Sequence, residues 1–156
     1  MLFERMGSLF EKHFEVGWRN VDPNGHLANT DYLEFAVDTR IAYFTSCGFP
    51  PQDFQKHGFG PVIKTDLVEY FRELLLLDKV TVTMEGGGLA PDGSRFKIVN
   101  NFYKADGTHS AKIISIGGWL GFKERKLIAP PEIILRAMTS LSRTKDYEEL
   151  RSSIKK

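Results

Sequence analysis

The residues best suited to chemistry lie in a short turn that precedes a long apolar segment. Asp22 opens a turn-forming run, Asp-Pro-Asn-Gly-His, that ends at His26. Gly25 lets the chain turn tightly, and Asn29 or Thr30 could cap a following helix. A helix N-terminus carries unpaired N–H groups and a partial positive charge. A carboxylate beside such donors could act as nucleophile or base while the donors stabilise an oxyanion, so the segment predicts an active site.

Other candidate motifs are weaker. The only cysteine, Cys47, lies in Ser-Cys-Gly-Phe-Pro and is interpreted as structural, because a cysteine nucleophile needs an activating neighbour. A single cysteine excludes an intrachain disulfide and a multi-cysteine metal site. The run Gly86–Gly88 lacks the Lys and Ser/Thr of a phosphate-binding loop and predicts a β-bulge. We therefore expect neither a metal nor a cofactor.

Length and charge limit the possible partners. The chain has 156 residues, 42% of them hydrophobic, which predicts a single domain over residues 1–156. Its net charge is +1, and its 21 basic residues are scattered. This pattern argues against binding to nucleic acid and against a polybasic membrane anchor. We expect the partner to be a small molecule or another subunit.

Cellular location is predicted from three features. The opening residues include Glu4, Arg5, Glu11 and Lys12 and do not resemble a secretory signal. The longest aliphatic run, Leu74–Leu77, is too short to cross a bilayer. The lone cysteine fits a reducing compartment. The expectation is a cytoplasmic protein without membrane association.

The segment from Thr30 to Ser46 predicts the longest helix. Its apolar residues cover most of a helical circumference, so we expect burial on most sides. Three acids, Asp31, Glu34 and Asp38, follow one another at spacings of three and four. They form a narrow carboxylate stripe, which we expect to face water, to meet charged partners or to meet a ligand.

The remaining pattern predicts an antiparallel meander. Alternation of polar and apolar residues indicates a first strand, and Asp-Gly pairs mark hairpins between later ones. The predicted strands cover His13–Trp18, Val62–Arg72, Lys79–Glu85, Arg95–Lys104 and His109 to about Lys123. A short helical turn is expected around Gln52–Lys56, a last helix from Glu132 to about Ser142, and a solvated charged tail over residues 143–156.

One turn motif, placed between a strand and a long helix, resembles a known family. The pattern Asp-x-x-Gly-His-x-x-Asn-x-x-Tyr is similar to the hotdog-fold thioesterases of the 4-hydroxybenzoyl-CoA thioesterase group. The matching positions are Asp22, Gly25, His26, Asn29 and Tyr32, with Leu33 and Arg40 farther along the helix. A second similar stretch runs from Gly58 to Val82, and the likeness covers about residues 12–142. It implies an α+β hotdog fold, in which a curved antiparallel sheet of about five strands wraps one long helix, plus a C-terminal helix.

The resemblance also implies an activity and roles for the motif. The expected reaction is hydrolysis of an acyl-CoA or acyl carrier protein thioester to a carboxylic acid and a thiol. Asp22 would be the nucleophile or the general base, two roles that the sequence does not separate. His26 would assist it, and Asn29 would supply the oxyanion donor. Gly25, Thr30 and Tyr32 would contact the substrate, and coenzyme A would be part of that substrate.

The sequence departs from the family pattern at two positions, and two alternative functions remain open. Asn20 occupies a position where many relatives have a second acid, and Glu73 replaces a usual proline, so the pocket shape is open. A hotdog dehydratase would pair His26 with an acid on the helix stripe, and a non-catalytic acyl-binding protein would keep only the pocket.

The resemblance further implies a homodimer or homotetramer with sites shared between subunits. Candidates for binding phosphate groups are Arg72, Arg95, Lys97, Lys104 and Lys112.

Overall fold

The computed structural model describes residues 9–155 and shows one sheet curved around one long helix. Part of the segment used to argue against a secretory signal, Met1–Ser8, lies outside the described residues. The strands are β1 (Phe10–Glu15), β2 (Phe59–Tyr70), β3 (Lys79–Leu89), β4 (Arg95–Lys104), β5 (His109–Gly121), β6 (Lys126–Ile128) and β7 (Arg143–Glu149). The helices are α1 (Asn29–Ser46), α2 (Pro51–His57) and α3 (Glu132–Thr139).

The sheet has the order β1-β3-β4-β5-β2, with β6 added to β5 and β7 added to β3. All pairings are antiparallel except that of β7 with β3. The predicted α+β arrangement, including the C-terminal helix, is confirmed. The first strand begins earlier than expected, and Trp18 falls in a short 3-10 turn, Trp18–Asn20, rather than in that strand. Within residues 9–155, no helix combines the length and apolar character needed to span a membrane.

Helix α1 is held by two apolar clusters. Its first half packs Tyr32, Phe35 and Ala36 against residues such as Val82 and Phe102 of the sheet. Its second half places two further aromatic residues in a cluster that includes Trp119 and α3. One face stays open, however, and Val37 and Ile41 on it are each 44% exposed. The expectation of burial on most sides is therefore wrong for a single chain.

The C-terminal segment differs from the predicted solvated tail. Strand β7 pairs in parallel with β3, with Gly86 opposite Arg143 and Gly88 opposite Glu148. Most of its side chains are exposed, which is why composition alone indicated a solvated segment. The predicted bulge at Gly86–Gly88 is confirmed by a register shift. A Cβ at Gly88 would lie 2.8 Å from the Glu148 carbonyl oxygen, so glycine permits this close approach.

Strand β2 lies at the other edge of the sheet. Among residues 9–155 it pairs only with β5, so its outer backbone groups have no strand partner within the described chain. Its apolar side chains Ile63, Leu67 and Tyr70 are 40%, 58% and 52% exposed. A strand of 12 residues with apolar side chains at an open edge is a template for pairing with another chain.

A buried cation lies between the two apolar clusters. Arg40 is 8% exposed, and its Nε donates to Oδ1 of Asn100 at 3.1 Å. Its Nη2 donates to the Ser115 hydroxyl, which in turn donates to Asp66 on β2. Burial lowers the pKa of Arg40, and the charge of Asp66 opposes that change. The network links helix, sheet interior and open edge.

We expect Arg40→Met to lower the free energy of unfolding by about 2 kcal/mol. The fully buried side-chain amide oxygen of Asn100 would lose its charged hydrogen-bond donor. Urea unfolding followed by circular dichroism measures this change. The matched control is Arg151→Met at an exposed position, which should shift stability by less than about 0.5 kcal/mol. An unchanged unfolding midpoint for Arg40→Met would contradict the importance of the network.

Candidate active site

The Asp22 turn is a small closed loop. The backbone N–H of Asp22 donates to the carbonyl of His26 at 2.8 Å, and the N–H of Gly25 donates to the carbonyl of Asp22 at 2.9 Å. Oδ1 of Asp22 accepts from the N–H groups of Asn24 and His26 at 2.8 and 3.2 Å. Asp22 thus forms an Asx turn. Its Oδ2 accepts no hydrogen bond from residues 9–155, so half of the carboxylate is available for other partners.

Gly25 serves the loop through its backbone conformation. Its φ is +78°, in the left-handed region, and a Cβ added there would meet no atom of the described chain within 4 Å. The position therefore requires glycine for the turn and not for packing within the chain.

The start of α1 has no side-chain cap. Its N-cap is Ala28, so the prediction that Asn29 or Thr30 caps the helix is wrong. The N–H of Ala28 instead donates to the carbonyl of Asn20 at 2.8 Å, a bond between loop segments that fixes where the helix begins. The Thr30 hydroxyl donates to Asp31 at 3.2 Å. Within residues 9–155 the N–H groups of Asn29 and Thr30 have no acceptor, as expected for a first helical turn.

Four of the six predicted site residues meet in one cavity of about 350 Å³. These are Asp22, His26, Asn29 and Tyr32. Gly25 and Thr30 are outside the cavity wall. The rest of the wall comes from Leu27 and from the end of β2 with the residues that follow it: Tyr70, Phe71, Arg72 and Glu73.

The second wall is brought to the loop by backbone bonds. The N–H of Leu27 donates to the carbonyl of Leu74 at 2.7 Å, and His26 forms a β-bridge with Leu75. The Ser110 hydroxyl donates to the carbonyl of Arg72 at 2.7 Å and fixes the segment against β5. Sequence reasoning named Arg72 as a phosphate candidate and connected Glu73 with the pocket shape, but it missed Tyr70 and Phe71 as part of the site. The available signal was the likeness over Gly58–Val82, which includes the segment.

Two side chains in the cavity have distinct environments. Tyr32 is 3% exposed and packs edge-on against Tyr70, with ring centroids 5.1 Å apart. Burial raises the pKa of Tyr32, so its hydroxyl stays protonated at neutral pH and remains a hydrogen-bond donor. The His26 ring is half-buried and has no hydrogen-bond partner among residues 9–155. Its contact with Asp22 is made by the backbone N–H and not by the ring.

Of the five basic candidates for phosphate binding, only Arg72 lines the cavity. Three others are engaged elsewhere: Lys97 pairs with Glu148, Lys104 pairs with Asp78, and Arg95 contacts Ser153. Arg72 is exposed and donates through Nη1 to the carbonyl of Phe71 at 2.8 Å. It is therefore the cation best placed at the cavity.

The carboxylate stripe of α1 is divided. Asp31 is half-buried and accepts a hydrogen bond from Asn20 at 2.7 Å, whereas Glu34 and Asp38 are exposed. None of the three forms an ion pair within the described part of the chain.

Cys47 terminates α1 against the second apolar cluster, and burial raises the pKa of its thiol. A structural role for Cys47 fits this position, since burial opposes the reactive thiolate.

The same fold is found in solved structures. A hypothetical protein of Staphylococcus aureus in complex with CoA gives a TM-score of 0.76 at 21% identity, with 86% of each chain covered. A 1,4-dihydroxy-2-naphthoyl-CoA thioesterase from Synechocystis gives 0.76 at 16% identity and covers 85% of this chain and 96% of its own. A candidate oleoyl thioesterase from Lactobacillus plantarum gives 0.79 at 18% identity and covers 99% of this chain but 57% of its own. At these identities the likeness establishes the hotdog fold.

Sequence comparison defines the family. The model of the Thioesterase-like superfamily matches residues 16–138, which include the Asp22 loop, α1 and the strands that form the cavity. The chain belongs to this superfamily. No curated protein is a significant match to it.

We expect Gly25→Ala to cost about 1 kcal/mol of stability, since alanine is strained in the left-handed region. The matched variant Gly25→Asn should lose less stability than Gly25→Ala, because asparagine adopts the left-handed conformation more readily than alanine does. Thermal and urea unfolding of the two variants measure the difference. Equal stability of the wild type and both variants would show that the +78° conformation imposes no constraint.

Proposed function

We propose that the protein hydrolyses acyl-CoA thioesters to the free acid and coenzyme A. The observation that carries the proposal is that Asp22 and Asn29 line one cavity, where half of the Asp22 carboxylate and the Asn29 N–H have no hydrogen-bond partner among residues 9–155. Membership of the Thioesterase-like superfamily supports thioester chemistry in general. The roles of individual residues are part of the proposal.

In the proposed reaction the thioester carbonyl oxygen accepts a hydrogen bond from the N–H of Asn29 at the start of α1. The N–H and the partial positive charge of the helix end stabilise the oxyanion of the tetrahedral intermediate. One donor of this kind typically contributes about 3 kcal/mol to lowering the barrier. Because α1 is packed along the sheet, the donor is oriented before substrate arrives.

Asp22 has two possible roles. As nucleophile, its carboxylate attacks the carbonyl carbon, the carbon–sulfur bond breaks, and a mixed anhydride and thiolate form; water then cleaves the anhydride. As general base, it removes a proton from water while the oxygen of that water attacks the same carbon, and the thiolate leaves with a proton returned from the acid. Both routes consume one water and yield one acid and one thiol. The available Oδ2 suits either route.

The other cavity residues have supporting roles in this proposal. The neutral Tyr32 hydroxyl donates to the substrate, and its ring with that of Tyr70 forms an apolar wall for the acyl group. The free ring of His26 hydrogen-bonds the thioester or the attacking water. Arg72 meets the phosphate groups of coenzyme A at the cavity mouth, where an exposed guanidinium binds phosphate well.

Similarity to known structures supports the choice of carrier and substrate group in this proposal. One structural neighbour contains CoA, and another is named as an aromatic acyl-CoA thioesterase. These names, with the Asp22 motif, support an acyl-CoA substrate of the type used by the 4-hydroxybenzoyl-CoA thioesterase group. Acyl carrier protein remains the alternative carrier. A panel of aromatic and straight-chain acyl-CoAs, assayed by release of free thiol, identifies the preferred acyl group.

The two rival functions are less well supported. A dehydratase that uses His26 with an acid of the α1 stripe needs both groups in one cavity, but Asp31, Glu34 and Asp38 are all absent from the wall formed by the described chain. A non-catalytic binding protein would have no use for an available carboxylate beside unpaired N–H groups. Thiol release separates the proposed thioesterase from both rivals, because neither rival releases free thiol.

We also propose that two copies associate through β2 and the open face of α1. Residues 63–67 of β2 are all exposed, and Val37 and Ile41 add an apolar strip on the helix. Pairing of β2 with a second β2 would satisfy the outer backbone groups of both strands by a two-fold axis. The segment Tyr70–Glu73 lies at the end of this edge, so association places the interface next to the cavity.

Asp22→Asn should lower turnover of the best acyl-CoA by at least about two orders of magnitude, as expected when a nucleophile or base is removed. The fold should persist, because the asparagine carbonyl oxygen can accept the same two backbone N–H groups that Oδ1 accepts. Free-thiol release measures turnover, and circular dichroism measures the fold.

The control for this experiment is Asp106→Asn. Asp106 forms a comparable turn by accepting from the N–H of Thr108 at 2.9 Å, but it lies in the β4–β5 hairpin and outside the cavity wall. Its turnover should remain within about twofold of the wild type. Near wild-type turnover in Asp22→Asn would reject Asp22 as nucleophile or base.

The proposed association predicts a dimer or larger assembly by light scattering at micromolar concentration. Leu67→Lys should shift the population toward monomer, because it places a charge on the exposed edge of β2. Leu127→Lys on β6, where the side chain is 39% exposed, is the control and should leave the mass unchanged. A monomeric wild type would refute this part of the proposal.

A further inference from the structure

Asn20 connects three parts of the active-site region. It ends the 3-10 turn Trp18–Asn20 and is 8% exposed. Its Oδ1 accepts from the N–H of Gly17 at 3.0 Å, and its Nδ2 donates to Oδ2 of Asp31 at 2.7 Å. Its backbone carbonyl accepts from the N–H of Ala28 at 2.8 Å. One residue therefore contacts the segment before the loop, the residue that caps α1, and the first helical turn.

These bonds fix both ends of the loop that contains Asp22. Asn20 directly precedes the loop residues 21–27, and Ala28 directly follows them. The bond between Asn20 and Ala28 closes the loop at its base, and the bond to Asp31 sets its orientation to the helix axis. Asn20 therefore contacts both the base of the loop that contains Asp22 and the first turn of α1.

The side chain at position 20 must be neutral for this arrangement. Nδ2 of Asn20 donates to a carboxylate that is itself stabilised in the first turn by the helix dipole. A carboxylate at position 20 would lie within 2.7 Å of the carboxylate of Asp31. Two carboxylates in such contact cannot both stay ionised and in place, so one would take up a proton or move away.

We infer that Asn20 is a positioning residue that acts through Asp31 to hold Asp22 at a productive distance from the start of α1. The inference rests on the proposed thioesterase function, because it assigns a role in placing the reacting acid. It concerns two residues outside the cavity wall, neither of which contacts the cavity. The expected effect is therefore on the chemical step and not on binding of substrate.

The test is a set of four proteins: wild type, Asn20→Asp, Asp31→Asn and the double variant with both changes. In Asn20→Asp, kcat for the best acyl-CoA should fall at least about tenfold, since small displacements of a reacting group are costly. KM should stay within about threefold, because the wall from Tyr70 to Glu73 is unchanged.

The double variant should recover kcat to within about threefold of the wild type, because it restores one amide and one carboxylate at the same contact. The new carboxylate at position 20 can still accept from the N–H of Gly17, and the new amide at position 31 can donate to it. Failure of the double variant to recover activity would overturn the role of the pair.

A second double-mutant cycle separates a role in positioning Asp22 from a general role in stability. Asn20→Asp is added to Asp22→Asn, where the acid to be positioned is already missing. It should then lower the residual kcat by less than about threefold, because residues that act through one another are not additive. An equal loss in both backgrounds would show that Asn20 acts independently of Asp22, which overturns the inference.

Asp31→Ala keeps the test decisive if Asn20→Asp does not fold. It removes the acceptor without adding a charge, and it should lower kcat at least about fivefold while circular dichroism stays native. Wild-type kcat in Asp31→Ala or in folded Asn20→Asp would overturn the inference alone. A folded wild type without thiol release from any acyl-CoA would instead overturn the proposed function and, with it, this role.

Discussion

The site depends on where helix α1 begins. The Ala28 N–H is bonded to the carbonyl of Asn20, and Ala28 offers no side chain that could accept from the first turn. The N–H groups of Asn29 and Thr30 consequently remain without an acceptor in the described chain. In many helices a side-chain cap would satisfy such a donor. Its absence here leaves the positive end of the helix available beside Asp22.

Packing keeps this helix end in place. Tyr32, Phe35 and Ala36 follow directly on the first turn and are buried against the sheet. Farther along, the buried side chains of Arg40, Asn100 and Ser115 form a polar belt in which Arg40 donates to the other two. The belt has few alternative partners, because each polar group inside it needs a donor or acceptor of defined direction. Register between helix and sheet is therefore specified more strictly than apolar contacts alone would allow.

Local features were predictable from the sequence, and features that need distant segments were not. The turn at Asp22 and the helix after it follow from residue types that act over a few positions, and Tyr32 follows from its place in the motif. The segment Tyr70–Glu73 lies beside the Asp22 loop because the N–H of Leu27 bonds to the carbonyl of Leu74, more than forty positions away in the sequence. The cap was mispredicted because the N-cap position falls on Ala28, one residue before the candidates Asn29 and Thr30, and alanine has no side-chain acceptor. Strand β7 was missed because pairing by its backbone leaves its charged side chains in solvent.

The position of Tyr70 has a thermodynamic consequence. This residue is the last of β2, half of its side chain is exposed, and its ring also packs on Tyr32 in the cavity wall. A molecule that pairs with the whole β2 edge therefore meets a residue of the cavity wall, and a ligand that fills the cavity meets a residue of the edge. Linked equilibria are reciprocal, so the factor by which one event favours the other is the same in both directions. Pairing at the edge and binding in the cavity share Tyr70, so any coupling between them must act equally in both directions.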